Sequence, residues 1–275
     1  MKITSRQNSR INQVAKLKQK KYRDLEQKIL VEGYHPLSFA IRNHYPLEEV
    51  FVCPELFRDK FDNQSLVESV QKLGTSIIEV EKNVYLKLSA ADSPEGLIAV
   101  APQKHLHLGQ HDYAPNSFYV VAESIEKPGN LGAILRLADN AGASAVILTS
   151  ARADMFDPEA IRVSLGAIFS VAILESTTAE AIEWLKQNRI KILATTPNAE
   201  VNYTEVDMTD AVAIALGTEH TGLSGSWLNS ADAKVKIPML GQVNSLSVTT
   251  AAAVILYEVV RQRAASLKIR TKSLT

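Results

Sequence analysis

The chain has a single cysteine, Cys53, in 275 residues, so no disulfide can form within it. That suits a reducing compartment and leaves stability to a packed core. Cys53 follows Val50-Phe51-Val52, which places it at the end of a buried strand rather than in a nucleophile's position. No apolar run approaches the about 20 residues needed to cross a bilayer. The opening Met-Lys-Ile-Thr-Ser-Arg-Gln-Asn lacks the apolar stretch of a secretory signal. A cytoplasmic protein with no membrane partner is expected. The dinucleotide fingerprint G-x-G-x-x-G is absent: Gly129-Asn130-Leu131-Gly132 has the wrong spacing, and no acid follows at the usual distance. No phosphate-loop lysine motif occurs, and Leu223-Ser224-Gly225-Ser226-Trp227 is not a nucleophile elbow. These absences disfavour a nicotinamide oxidoreductase, a phosphate-loop nucleotidase and a serine hydrolase. His105, His107 and His111 lie close together but have no cysteine, acidic cluster or zinc spacing beside them, so no metal site is expected.

What is present is a composition of 46% hydrophobic and 22% charged residues, enough for a large core and for two domains. Net charge is zero, yet its distribution is uneven. Lys2, Arg6, Arg10, Lys16, Lys18, Lys20, Lys21 and Arg23 all precede the first acid, Asp24. Such a local basic field attracts a polyanion even on a neutral protein. Arg6, Arg10, Lys18, Lys20, Lys21 and Arg23 are the candidate contacts to the phosphates of such a polyanion.

Hydrophobic periodicity places a helix over residues 10–29, then alternating short strands and helices up to the strand Gly96–Ala101. Residues 1–104 are expected to be one α/β domain, and the Pro-, Gly- and His-containing stretch 105–116 a linker. From Ser117 onward the strands read as continuous apolar runs: 117–122, 145–148, 171–174, 190–195 and 211–217. Runs without alternation point to a parallel sheet covered on both faces. Residues 117–275 form the second expected domain.

Polar residues stand after several of these strands: Asn130 and Arg136 after the first, Glu219 after that ending at Gly217, and Ser245 after Lys236-Ile237-Pro238. Strand carboxyl ends share one edge of a parallel sheet, where ligands bind. Following the last strand, a loop bearing Gly241 leads into a helix that opens on Ser and Thr, residues that cap free backbone N–H groups. A strand, a loop and a polar helix start make a pocket suited to a small polar ligand.

Three segments carry a resemblance to a known family. Asn130-x-Gly132-x-x-x-Arg136, Leu216-Gly217-x-Glu219-x-x-Gly222, and Ile237-Pro238-Met239-x-Gly241 continuing to Ser245-Leu246-x-Val248 resemble, in order and spacing, the signature motifs of the SpoU (TrmH) RNA ribose 2′-O-methyltransferases of the SPOUT superfamily. The first half is similar to the substrate-binding domain common in that family, which is like ribosomal protein L30e; its basic start and Leu30-Val31-Glu32-Gly33 carry that likeness. The resemblance implies an α/β protein with an N-terminal L30e-like domain and a C-terminal parallel-sheet domain containing a deep trefoil knot. It implies S-adenosylmethionine as cofactor, contacted by Gly217, Ile237 and Leu246 and by Thr195. It makes Arg136 the group that orients and polarises the ribose hydroxyl, with Asn130 and Glu219 holding the arginine and the loop, and Ser245 anchoring the substrate or cofactor edge. A guanidinium, with a pKa above about 12, is a poor base, so the proton's destination stays unassigned.

A homodimer acting on RNA, large-subunit ribosomal RNA in preference to transfer RNA, is what the family implies; DNA is not expected as a partner. The third motif usually runs Ser-Leu-Asn-Val, and this chain has Ser247 in place of the asparagine. That departure keeps open an alternative, an RNA-binding ribosome assembly factor with weakened catalysis.

Overall fold

Ile29, Leu30 and Val31 are excluded from water in the strand β2 (Lys28–Glu32), as are Val50 and Phe51 in β3 (Glu49–Val52). With β1 (Lys2–Ile3), β4 (Ser76–Val80) and β5 (Leu97–Pro102) they form a five-stranded sheet in the order β1-β4-β3-β5-β2. β5 runs antiparallel to β2 and β3; the other pairs are parallel. The structure is a computed structural model and describes residues 2–218 and 220–272, with side chains to 266. Helices α1 (Ser9–Lys16), α2 (Lys20–Glu26), α3 (Tyr34–Arg42), α4 (Lys60–Lys72) and α5 (Lys82–Leu88) pack around this sheet. Ile11, Val14 and Leu17 join Leu30, Phe51 and Tyr85 in its core. Cys53 is buried here, and burial pushes its thiol pKa up, as befits a packing residue.

The helix expected over residues 10–29 is two helices broken at Leu17–Gln19. Arg23 explains the break. Its Nη1 donates to the carbonyls of Leu17 (3.0 Å) and Lys18 (2.8 Å), the groups that the end of α1 leaves without helical partners. Its Nη2 bonds Asp154 (2.6 Å) and Asp157 (3.2 Å). Those aspartates belong to residues 154–170, which pack with the N-terminal unit although they follow the second half's first strands in sequence. The helix Pro158–Val163 (α7 in chain order) lies on β2.

The second unit comprises His105–Ala153 and the described chain from Val171 onward. Its sheet has eight strands, all parallel: β6 (Leu106–His107), β7 (Phe118–Glu123), β8 (Ala145–Thr149), β9 (Ala172–Ser176), β10 (Lys191–Thr195), β11 (Val201–Asn202), β12 (Val212–Leu216) and β13 (Ala233–Lys236). Their order is β11-β13-β10-β12-β7-β8-β9-β6. The continuous apolar strands are buried on both faces, as their lack of alternation predicts. Residues 105–116 contain β6, which pairs with β9 at the sheet's edge, and a short 3-10 turn, Leu108–Gln110.

Around this sheet lie α6 (Pro128–Asn140), α8 (Thr178–Gln187), α9 (Gly225–Ser230) and α10 (Val248–Lys272). α6 opens on Pro128, whose fixed φ suits a first helical turn, and stops before Gly142 at φ +72°. Of the apolar stripe on α10, Ile255 and Val259 are buried in the unit, while Ala251 and Val254 are partly exposed. No helix among the described residues is long and apolar enough to cross a membrane.

Candidate active site

β10, β12 and β13 are neighbours in the sheet, so their last residues, Thr195, Leu216 and Lys236, meet at one edge. A cavity of about 330 Å³ opens there. Its walls are the strand ends, the loop 217–223, the loop 237–246 and the first turns of α10. Leu216, Leu223, Val235, Ile237 and Ile255 make it largely apolar; Thr195, Thr218, His220, Lys236 and Ser245 supply polar groups.

The loop 217–223 is folded back on itself. Thr218 and Gly222 form an antiparallel bridge, with N–H···O distances of 3.2 and 3.0 Å. The Thr218 hydroxyl accepts from the Thr221 N–H (3.1 Å) and is hydrogen-bonded to the Thr221 hydroxyl (2.8 Å). This closure brings the backbone of Gly222 and Leu223 so near that a Cβ on residue 217 would lie 2.2 Å from the Gly222 carbonyl carbon. Only glycine fits there. Beyond the loop, the buried carboxylate of Glu123, at the end of β7, accepts from the Ser224 N–H (2.7 Å) and the Thr178 hydroxyl (3.2 Å).

The third segment is built differently. Among the described residues, none of 237–246 makes a hydrogen bond, and Leu240 and Val243 are 98% and 74% exposed. Order returns at Ser247. Its hydroxyl accepts from the Thr250 N–H (3.2 Å) and its carbonyl from the Ala251 N–H (2.9 Å), which makes it the N-cap of α10. Serine and asparagine cap helices about equally well. The residue that departs from the family motif therefore keeps a role that asparagine would fill.

Residues 117–257 match the family model for the SpoU rRNA methylase family. The chain belongs to that family. Residues 8–99 match a second model, the MRM3-like substrate binding domain. The chain is 29% identical, over 95% of its length and 92% of the relative's, to the 23S rRNA (uridine(2479)-2'-O)-methyltransferase of Streptomyces viridochromogenes. A crystal structure of an RNA 2'-O ribose methyltransferase superposes with a TM-score of 0.86 at 39% identity, covering 96% of this chain and all of that one. The S-adenosylmethionine-bound rRNA methyltransferase of Sinorhizobium meliloti gives a TM-score of 0.85 at 26% identity, covering 95% and 97% of the two chains.

Against the family motifs, Thr195, Gly217, Ile237 and Leu246, expected at the cofactor, all line the cavity, and Ser245 lines it with them. Asn130 lies in the first turn of α6, partly exposed. Arg136 stands nearly two turns further along α6. It is exposed, outside the cavity lining, and without an ion pair among the described residues; the surface pairing with Asp139 that its spacing allows is not made. Glu219 lies outside the described residues.

The proposed RNA contacts divide. Arg6 and Lys21 are exposed, Lys21 with its Nζ 5.9 Å from the Tyr22 ring centroid. Arg10 is exposed but paired with Glu49, and Lys20 pairs with Asp24 at 2.8 Å. The Lys18 ammonium donates to the carbonyls of Lys87 (2.8 Å) and Ser89 (3.1 Å). Arg23 must be corrected: it is 1% exposed and consumed by Asp154, Asp157 and two carbonyls, so it holds the fold together and offers nothing to a phosphate. A tract without acids along the chain is not without acids in space.

Two residues near the cavity drew no attention in the sequence. Glu123 ends an otherwise apolar strand, the only signal it gives. His220 stands between Glu219 and Thr221 in the second motif, where nothing in the sequence marks it as part of the cavity lining.

Proposed function

We propose that the protein methylates a ribose 2′-hydroxyl of structured RNA, using S-adenosylmethionine, and that its substrate is large-subunit ribosomal RNA. The observation that carries this reading is the convergence of Thr195, Gly217, Ser245 and Leu246, from three separate stretches of chain, on one cavity. The residues present suit the cofactor. Apolar walls take an adenine and a methionine chain, and backbone groups at three strand ends serve their polar edges. When bound, the cofactor supplies a methyl group on a sulfonium, already reactive toward an oxygen nucleophile. The protein's share is then to hold and orient the ribose and to exclude water. Ser245 anchors an edge of the bound pair through its hydroxyl. Arg136, always charged, polarises the hydroxyl and binds phosphate.

Arg136 is exposed and lies outside the lining of its own chain's cavity. A cytoplasmic homodimer in which each copy's arginine serves the other's cavity accounts for that placement. Mixing Arg136→Ala with Gly217→Val, each inactive alone, is then expected to restore activity; no restoration would reassign the arginine to its own chain. The N-terminal unit is the RNA handle, and of the six expected contacts Arg6 and Lys21 are the two whose side chains make neither a hydrogen bond nor an ion pair among the described residues. Arg6→Ala with Lys21→Ala is expected to lower the slope of log affinity against log salt by up to about 2. Deleting residues 1–23 is not an equivalent test, because Ile3, Ile11, Val14 and Leu17 are core residues.

Calorimetry with S-adenosylmethionine, and ribose-methylation mapping of large-subunit ribosomal RNA and transfer RNA from cells with and without the gene, test the reading. A site methylated only when the gene is present supports it; cofactor binding absent at high micromolar concentration would favour the RNA-binding assembly factor instead. Arg136→Ala is expected to abolish transfer and leave cofactor affinity within about threefold; equal loss of both would show its role misassigned.

A further inference from the structure

Arg136, a guanidinium with a pKa above about 12, is a poor acceptor for the proton of the ribose hydroxyl. We infer that His220 takes it. The inference rests on the methyltransferase reading above and names a catalytic residue for it.

A hydroxyl oxygen that acquires a methyl group must lose its proton, and an acceptor near neutral pKa is the effective kind. Among the described residues lining the cavity only His220 and Lys236 are titratable. Lysine is an ammonium at neutral pH and has no lone pair to offer. The threonine and serine hydroxyls of the lining are too weakly basic. A neutral imidazole is a base, and histidine changes protonation between about pH 5 and 8.

Placement agrees with chemistry. His220 sits at the tip of the loop closed by the Thr218–Gly222 bridge and by the Thr218 and Thr221 hydroxyls, so its backbone is fixed on both sides. The ring is exposed and makes no hydrogen bond or ion pair among the described residues. An unbonded ring can meet a substrate hydroxyl and afterwards pass its proton to bulk water. Lys236 is the other titratable residue of the lining among the described residues; Glu219, next to His220 in sequence, lies outside them.

The balance is simple. The 2′-oxygen gives its proton to an unprotonated ring nitrogen and uses its electron pair to bond the methyl carbon. The carbon–sulfur pair stays with sulfur, leaving a neutral thioether, an ether and an imidazolium that returns its proton to solvent.

The test is single-turnover methyl transfer to unmodified 23S rRNA transcribed in vitro, measured from pH 5.5 to 9. His220→Gln is expected to lower the rate about 100-fold at pH 7.5 and to abolish the break in the pH–rate profile that a histidine base would give the wild type. In His220→Ala, added imidazole restores at least tenfold of the loss. Cofactor affinity by calorimetry stays within threefold in both variants. A variant that keeps half the rate, a rate loss that leaves the break in place, or a parallel loss of cofactor affinity would each overturn the assignment. A wild-type protein that transfers no methyl to ribosomal or transfer RNA overturns the methyltransferase reading as well.

Discussion

The two loops that wall the cavity are opposites. Residues 217–223 are tied by a backbone bridge, a pair of threonine hydroxyls and, just beyond, the Glu123 carboxylate. Residues 237–246 have no hydrogen bonds among the described residues and expose Leu240 and Val243 to water. One wall is satisfied without a ligand and the other is not. The energetic signature follows. A carbon added at Gly217 in the closed wall meets backbone and cannot be absorbed, while one added at Gly241 in the open wall meets space.

The largest expected effect exploits that difference at two glycines. Gly217→Val puts side-chain carbons where the Gly222 carbonyl carbon stands, with even the first atom 2.2 Å away, and should leave no cofactor binding measurable by calorimetry. Gly241→Ala, with nothing within 4 Å of its added carbon, should change affinity less than about threefold. Comparable losses at both would erase the distinction between the walls.

Next comes the other fully satisfied cluster, Arg23 with Asp154 and Asp157. Removing one partner of a buried ion pair strands the rest, so Arg23→Ala should cost about 3–5 kcal/mol in denaturant unfolding, whereas exposed Lys21→Ala should cost under about 0.5. Ser247 marks the seam where the open loop becomes helix. Ser247→Ala should cost about 1 kcal/mol and Ser247→Asn close to nothing, read as a shift in melting temperature.

The smallest effect is a pH dependence at the capping box that starts α8. The Thr177 N–H and hydroxyl hold the exposed Glu180 carboxyl below its ordinary 4.5. The folded state thus prefers the carboxylate. Its contribution is present above the ordinary value and is lost as pH falls through the lowered one. Glu180→Gln should give up this small contribution at neutral pH and so flatten the acid side of the melting-temperature profile, the two proteins converging as pH falls below 4.5.

Much of this was legible in the residues. Continuous apolar runs located the central strands of both sheets within a residue or two, because burial on both faces removes every polar position. The pocket beside Lys236 to Ser247 followed from a strand, a loop and capping residues. Strands of two residues, such as β6 and β11, carry no period and were invisible. The break between α1 and α2 was also hidden: Lys16, Lys18 and Gln19 are good helix formers, and the reason to stop lies in a guanidinium four to six residues on that takes the freed carbonyls. Arg23 was misread for the same reason. Its carboxylates come from more than 130 positions away, and no local pattern announces them.

That long reach has a practical consequence for anyone dividing the protein. A fragment ending at Lys104 would carry the basic helices and the five strands, but it would lack Asp154, Asp157 and α7 on β2. It would contain a desolvated cation with no counter-ion and a bare sheet flank. On the ribosome, too, the first unit cannot be finished until three strands of the second have emerged, so neither half is born complete before the other has begun.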